Sequence, residues 1–156
     1  MSLAIEAFID NVQRYCEWVE SDTHDLMAVR QLLLSLMAGI PYLIATGRDS
    51  GSTDSLTDRS HADWLNDHRR FQNLPFQYYR SLINPHDLED DSNTMGDICD
   101  DFADIYADLK HGLDAVDCDC GIYAINHWKD SYAQHWGCHA ANAVLAIDAH
   151  IRKNAG

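Results

Sequence analysis

The sequence predicts an all-α fold, a single-domain helical bundle of five or six helices with one long flexible loop, and three observations carry that prediction. Apolar residues recur every three or four positions through most of the 156 residues, the spacing that lines them along one side of a 3.6-residue helix. No segment alternates apolar and polar residues with the period of two that marks a half-buried strand. The stretch Thr46 to Ser60 is built from Gly, Ser, Thr, Asp and Arg, with Leu56 its one large apolar side chain. It holds too little apolar surface to offset the entropy of ordering, which makes residues 46–60 the mobile loop.

In the first helix Leu3, Phe8, Ile9, Val12, Tyr15, Cys16 and Val19 share a face, with Asp10, Arg14 and Glu17 opposite. It is expected to end by Glu20, and Ser21-Asp22-Thr23 offers capping oxygens for a second helix. That helix carries a broad apolar face of Leu26, Val29, Leu32, Leu33, Leu36, Met37, Ile40 and Leu43, which suggests a central position. Pro41, with no amide hydrogen, should kink or end it near Gly39-Ile40. His61 to Asn73 reads as a short helix bearing Trp64, Leu65 and Phe71. Phe76, Tyr79, Leu82 and Ile83 form a further apolar segment that stops at Asn84-Pro85.

After an acidic connector, Asp87 to Asn93, the clearest helix in the chain is expected from about Met95 to Val116. Its stripe is Ile98, Phe102, Ile105, Leu109, Leu113 and Val116. The last pattern, Ile122, Ile125, Trp128, Tyr132, Trp136, Ala143 and Ile147, runs to Ile151 as one bent helix or two, with Gly137 the natural break.

Composition excludes several function classes. Eleven Lys and Arg against 25 Asp and Glu give a formal charge of -14, so the cation-driven counterion release that dominates nucleic-acid affinity has no source here. Anionic membrane surfaces are disfavoured on the same ground. Arg30, Gln31, Ser35 and Pro41 interrupt the most apolar stretch, which reads as a buried helix and not a membrane span. Five scattered cysteines do not resemble a disulfide framework, and no signal-peptide pattern opens the chain. Free thiols in a cytoplasmic, reducing compartment are expected.

On the long helix Asp101, Asp104, Asp108 and His111 stand three, four and three residues apart and form one polar ladder beside the apolar stripe. On the last pattern His135 and His139 are one turn apart, and His139 falls within the aromatic stripe, where a buried imidazole is expected. Carboxylates on one helix and a histidine pair on another are the residues from which bundles build metal sites. Asp104, Asp108, His135 and His139 are therefore the candidate ligands of a divalent metal. The competing reading makes the same residues a structural hydrogen-bond network. Neither a Glu-x-x-His pair nor a His-Glu-x-x-His string is present, and no cofactor is required by the sequence.

An EF-hand register through Glu89, Asp91, Asn93 and Asp100 fails, because Thr94 stands where the turn needs Gly and Asp100 where a bidentate Glu is needed. Cys118-Asp119-Cys120 has one spacer residue, not the two of a redox or zinc-ribbon pair. There is no nucleophile elbow, phosphate loop or dinucleotide fingerprint.

The strings Asp100-Asp101-Phe102-Ala103-Asp104-Ile105-Tyr106-Ala107-Asp108-Leu109-Lys110 and His135-Trp136-Gly137-Cys138-His139 resemble the bacterial family known as domain of unknown function 5063. Tyr15-Cys16, Ile40-Pro41 and the segment closing at Asn84-Pro85 extend the likeness over most of the chain. The resemblance implies an all-helical fold and no particular activity. It adds Tyr106, Lys110 and Trp136 to the ligand or polar-network candidates Asp101, Asp104, Asp108, His135 and His139. The functional expectation is a small intracellular binding or regulatory module whose partner is a protein or small molecule. One alternative is a metal-binding protein or metal-dependent enzyme using the Asp/His cluster. Another is an acidic inhibitor or immunity-type protein meeting a basic partner through residues 46–60 or 87–93.

Overall fold

The computed structural model describes residues 2–45, 59–81, 84–89 and 94–155. The expected mobile loop lies outside the described residues except for Arg59 and Ser60, as do Leu82, Ile83 and much of the acidic connector.

Helix α1 spans Leu3–Glu20 and α2 Leu26–Ile44. The cap of α2 is Asp25, not the Ser-Asp-Thr run before it: its carboxylate accepts from the backbone of Met27 and Ala28, two of the four amides a helix start leaves unpaired. Ser21 instead closes α1 by donating to the Trp18 carbonyl at 2.8 Å. Pro41 stays inside α2. The one amide bond it removes falls in the last turn, and the helix ends soon after it, with Ala45 donating to the Pro41 carbonyl. Helix α3, His61–Arg69, begins with a reciprocal capping box between Ser60 and Asp63.

Two short strands, β1 (Tyr78–Ser81) and β2 (Thr94–Asp97), pair antiparallel with Tyr79 opposite Gly96. The sequence gives no strand signal because four residues are too few to show a period of two. Gly96 makes the pairing fit, since a Cβ there would lie 2.3 Å from the Tyr79 ring. Consequently α4 starts at Ile98 and not near Met95, with the Asp97 carboxylate accepting from Cys99 N–H at 2.9 Å.

Helix α4, Ile98–Asp117, holds the centre of the bundle in place of α2, packing on α1, α3, α5 and α6. Helix α5 covers Gly121–Ser131, a π-turn covers Tyr132–Trp136, and α6 continues over Gly137–Asn154. The three form one rod whose phase shifts by about 100° at the inserted residue. Gly137 donates its amide to the Tyr132 carbonyl, five residues back. A Cβ on Gly137 would sit 2.4 Å from that oxygen, so the wide turn demands glycine there.

Aromatic contacts run through a mainly aliphatic core. Trp18, Phe71 and Phe102 meet with ring centroids 5.0–5.7 Å apart, and Phe8 packs on Trp128 at 5.3 Å. Tyr15 donates to the Phe102 carbonyl at 3.0 Å, and Arg30 of α2 pairs with Asp148 of α6 at 2.5 Å. By length and hydropathy α2 would also fit a membrane span. In the bundle its stripe from Leu26 to Leu43 is buried, chiefly against α1 and α6. Leu3 and Ile122, assigned to apolar stripes by periodicity, are exposed at the rod ends.

Candidate metal centre

Buried Ile98, Phe102, Ile105 and Leu109 fix the rotation of α4, which turns Asp101, Asp104 and Asp108 toward the junction of the π-turn with α6. From that junction come His135 and His139. Asp108 Oδ2 lies 2.8 Å from His135 Nδ1, and Asp101 Oδ1 lies 2.7 Å from His139 Nδ1. With Nδ1 of each ring held by a carboxylate, both Nε2 atoms turn toward one oxygen, Asp104 Oδ2, at 3.8 Å from His135 and 3.4 Å from His139. The two rings stand 4.9 Å apart and nearly perpendicular, at 76°. One ligand atom from each of Asp104, His135 and His139 falls within 4.8 Å of the other two.

Two side chains from outside the helix pair complete the arrangement. Trp64 of α3 donates its indole N–H to Asp104 Oδ1 at 2.7 Å, leaving Oδ2 facing the imidazoles. Tyr79 of β1 donates its hydroxyl to Asp101 Oδ2 at 2.5 Å. Both had read as apolar positions in the sequence. Their polar tips were the available signal, but nothing in a linear pattern aims them at α4.

Burial grades across the site. The Asp101 side chain is 6% exposed, His139 25% and His135 47%. His139 is thus at the rim and not in the core as its place in the aromatic stripe had suggested. The π-turn accounts for the difference: beyond it the buried line is Trp136, Ala140, Ala143 and Ile147, and His139 stands beside that line. Of the other candidates, Tyr106 faces away, donating to Glu20 Oε1 at 2.6 Å beneath the Arg59 guanidinium. Lys110 pairs with Asp114 on its own helix. Trp136 is buried and donates to the Trp128 carbonyl at 3.3 Å. These three support the helices and do not meet the cluster.

His127, which periodicity sets off the apolar stripe, is half-buried and bonds the Asp108 carbonyl through Nε2 at 3.0 Å. With His111, Tyr123, Arg59 and Asp108 it lines a cavity of about 350 Å³ beside the cluster. The hydrogen bond to Asp101 raises the pKa of His139 above the ordinary 6.5, whereas burial lowers that of His127 below it. In chelator-treated protein, imidazole NMR signals should therefore titrate above 6.5 for His139 and below 6.5 for His127. The signs for stability are opposite. The His139 contribution is complete below 6.5 and fades as pH rises through its folded pKa. The His127 contribution is present above 6.5 and fades as pH falls through its own. The reverse order of titration would show that the Asp101–His139 pair does not form in solution.

A family model described as domain of unknown function (DUF5063) matches residues 1–153. The fold is shared with protein BF1032 from Bacteroides fragilis, whose crystal structure superposes with a TM-score of 0.75 at 14% identity, over 99% of this chain and 95% of that one. No curated protein matches this chain.

Proposed function

The chain belongs to the DUF5063 family, and we propose that it binds a divalent transition-metal ion through Asp104 Oδ2, His135 Nε2 and His139 Nε2. One observation carries this reading: both imidazoles give Nδ1 to a carboxylate and direct Nε2 to the same third carboxylate. Metal-ligating histidines are held this way, because the carboxylate on Nδ1 fixes the tautomer and makes Nε2 more basic. In this reading Asp108, which the sequence offers as a ligand, orients His135. Two imidazoles and a carboxylate suit zinc, iron, cobalt or manganese better than calcium or magnesium.

Three protein ligands leave coordination positions open, and the exposed edge of His135 gives solvent a way in. The ion would be reachable by water or a small ligand, as in a metal-dependent enzyme or a sensor. This favours the metal reading over a general binding or regulatory module. The inhibitor reading drew on residues 46–60 and 87–93, most of which lie outside the described residues. The five free thiols favour a reducing compartment such as the cytoplasm, and the acidic charge disfavours nucleic acid as a partner.

The competing account is a structural one, in which the same five side chains only tie α4 to the α5–α6 rod. Elemental analysis of the purified protein and of its His135→Ala/His139→Ala variant, which should lose one equivalent of ion, together with thermal melts before and after chelation, separates the two. Bound ion and a melting temperature that falls on chelation and recovers on adding zinc or manganese are expected. Saturating an ion at about a hundred times its Kd stabilises a fold by about 2.7 kcal/mol. Protein without metal whose melt ignores added ions would leave only the structural network.

A further inference from the structure

A second cluster of different chemistry lies at the start of α4. His68 of α3, Asp97 at the end of β2 and Cys99 in the first turn of α4 each present a ligand atom within 4.8 Å of the others. His68 Nε2 is 3.8 Å from Asp97 Oδ2 and 3.1 Å from Asp100 Oδ1, so a second carboxylate reaches the same imidazole nitrogen. Trp64 holds the His68 ring at 5.3 Å between centroids, while its own N–H goes to Asp104. Gln77 donates to Asp97 Oδ2 at 3.0 Å, and the remaining Asp97 oxygen caps Cys99. Three elements thus fix the donors before any ion arrives.

We infer that His68, Asp97 and Cys99, with Asp100 beside them, form a second cation site, selective for a thiophilic divalent ion of the zinc class.

The donor set gives the selectivity. One imidazole nitrogen, one thiolate and carboxylate oxygens form the borderline-soft combination that zinc takes tetrahedrally, and a thiolate discriminates against magnesium, calcium and manganese. Cys99 is buried and its thiol bonds the Phe71 carbonyl at 3.6 Å. Ligation breaks the S–H bond and forms a metal–sulfur bond, and the proton leaves to solvent, so binding strengthens as pH rises. The positive end of the α4 dipole opposes a cation here. Thiolate charge together with Asp97 and Asp100 outweighs a partial charge of about one half. Entry is from the solvent side, where the Asp100 side chain is 49% exposed and His68 23%.

Cobalt(II) added to the metal-free full chain tests this site independently of the first. A near-ultraviolet thiolate-to-cobalt charge-transfer band should appear and bleach on adding zinc. It should be lost in Cys99→Ser and weakened at least tenfold in titrations of His68→Gln, while the His135→Ala/His139→Ala double variant retains it. His68→Gln guards against a folding failure of Cys99→Ser, with circular dichroism confirming each variant. No band in the wild type, or a band that survives Cys99→Ser, would overturn the proposal. Failure of the Asp104 site alone would show differently, as a charge-transfer band with unchanged cobalt stoichiometry in the double histidine variant.

Discussion

Gly112→Ala should destabilise the protein by about 3 kcal/mol, the sum of overpacking and a lost buried hydrogen bond less the gain in helix propensity. Trp128 of α5 lies flat across α4 at this residue, and a Cβ would stand 2.2 Å from its indole nitrogen. That nitrogen donates to the Leu109 carbonyl at 3.1 Å in the fully buried centre of the molecule. The added methyl has to push the ring out, break that bond and disturb the Phe8 contact behind it. For a chain of this size the loss corresponds to roughly 10 °C in melting temperature. Gly121→Ala is the control, because nothing lies within 4 Å of a Cβ there, and it should be neutral or slightly stabilising. Urea unfolding of the two variants makes the comparison, and equal small effects would mean that Trp128 does not seat on Gly112. The prediction bears on the site as well, since this contact sets how close α4 comes to the rod that carries His135 and His139.

Graded losses of metal affinity are expected along the aspartate ladder. Asp104→Ala removes a ligand and should abolish binding of manganese, an ion that the Cys99 thiolate disfavours, in titration calorimetry. Asp101→Asn and Asp108→Asn keep an oxygen for the imidazole N–H but lose the charge that makes Nε2 basic, and each should weaken binding by about 10–100-fold. Asp101→Asn also weakens the bond from Tyr79. Tyr106→Phe, which loses only the hydrogen bond to Glu20, should leave affinity unchanged. Equal affinities across all four variants would remove Asp104 from the coordination sphere and assign the ladder to helix packing.

The rotation of α4 was legible in its sequence. The stripe Ile98, Phe102, Ile105 and Leu109 is buried as its spacing requires, and a helix of known rotation places Asp101, Asp104 and Asp108 on one neighbouring edge. The pair His135 and His139 was legible for the same reason, being one turn apart. Their burial was not, because the π-turn at Tyr132–Trp136 breaks the phase along which His139 had been projected inward. Only Gly137 hinted at it, and a glycine marks a place for irregularity without saying of which kind. Trp64 and Tyr79 lie 40 and 22 residues from the carboxylates they bond, and no local pattern encodes a contact across such separations.

By itself, then, the sequence determined the helices, their apolar faces, the acidic surface and the two sets of side chains able to meet. These depend on spacing along one chain and on side-chain chemistry. Tertiary structure alone decided that each imidazole gives Nδ1 to one aspartate and turns Nε2 toward another, that the Asp108 carboxylate meets one ring, His135, while Asp104 Oδ2 faces both, and that His68 and Cys99 come together at the start of α4. Those outcomes depend on distances of a few ångströms between elements, which are set when the Gly112–Trp128 contact, the Gly96–Tyr79 pairing and the π-turn at Gly137 fix how the rods seat against one another.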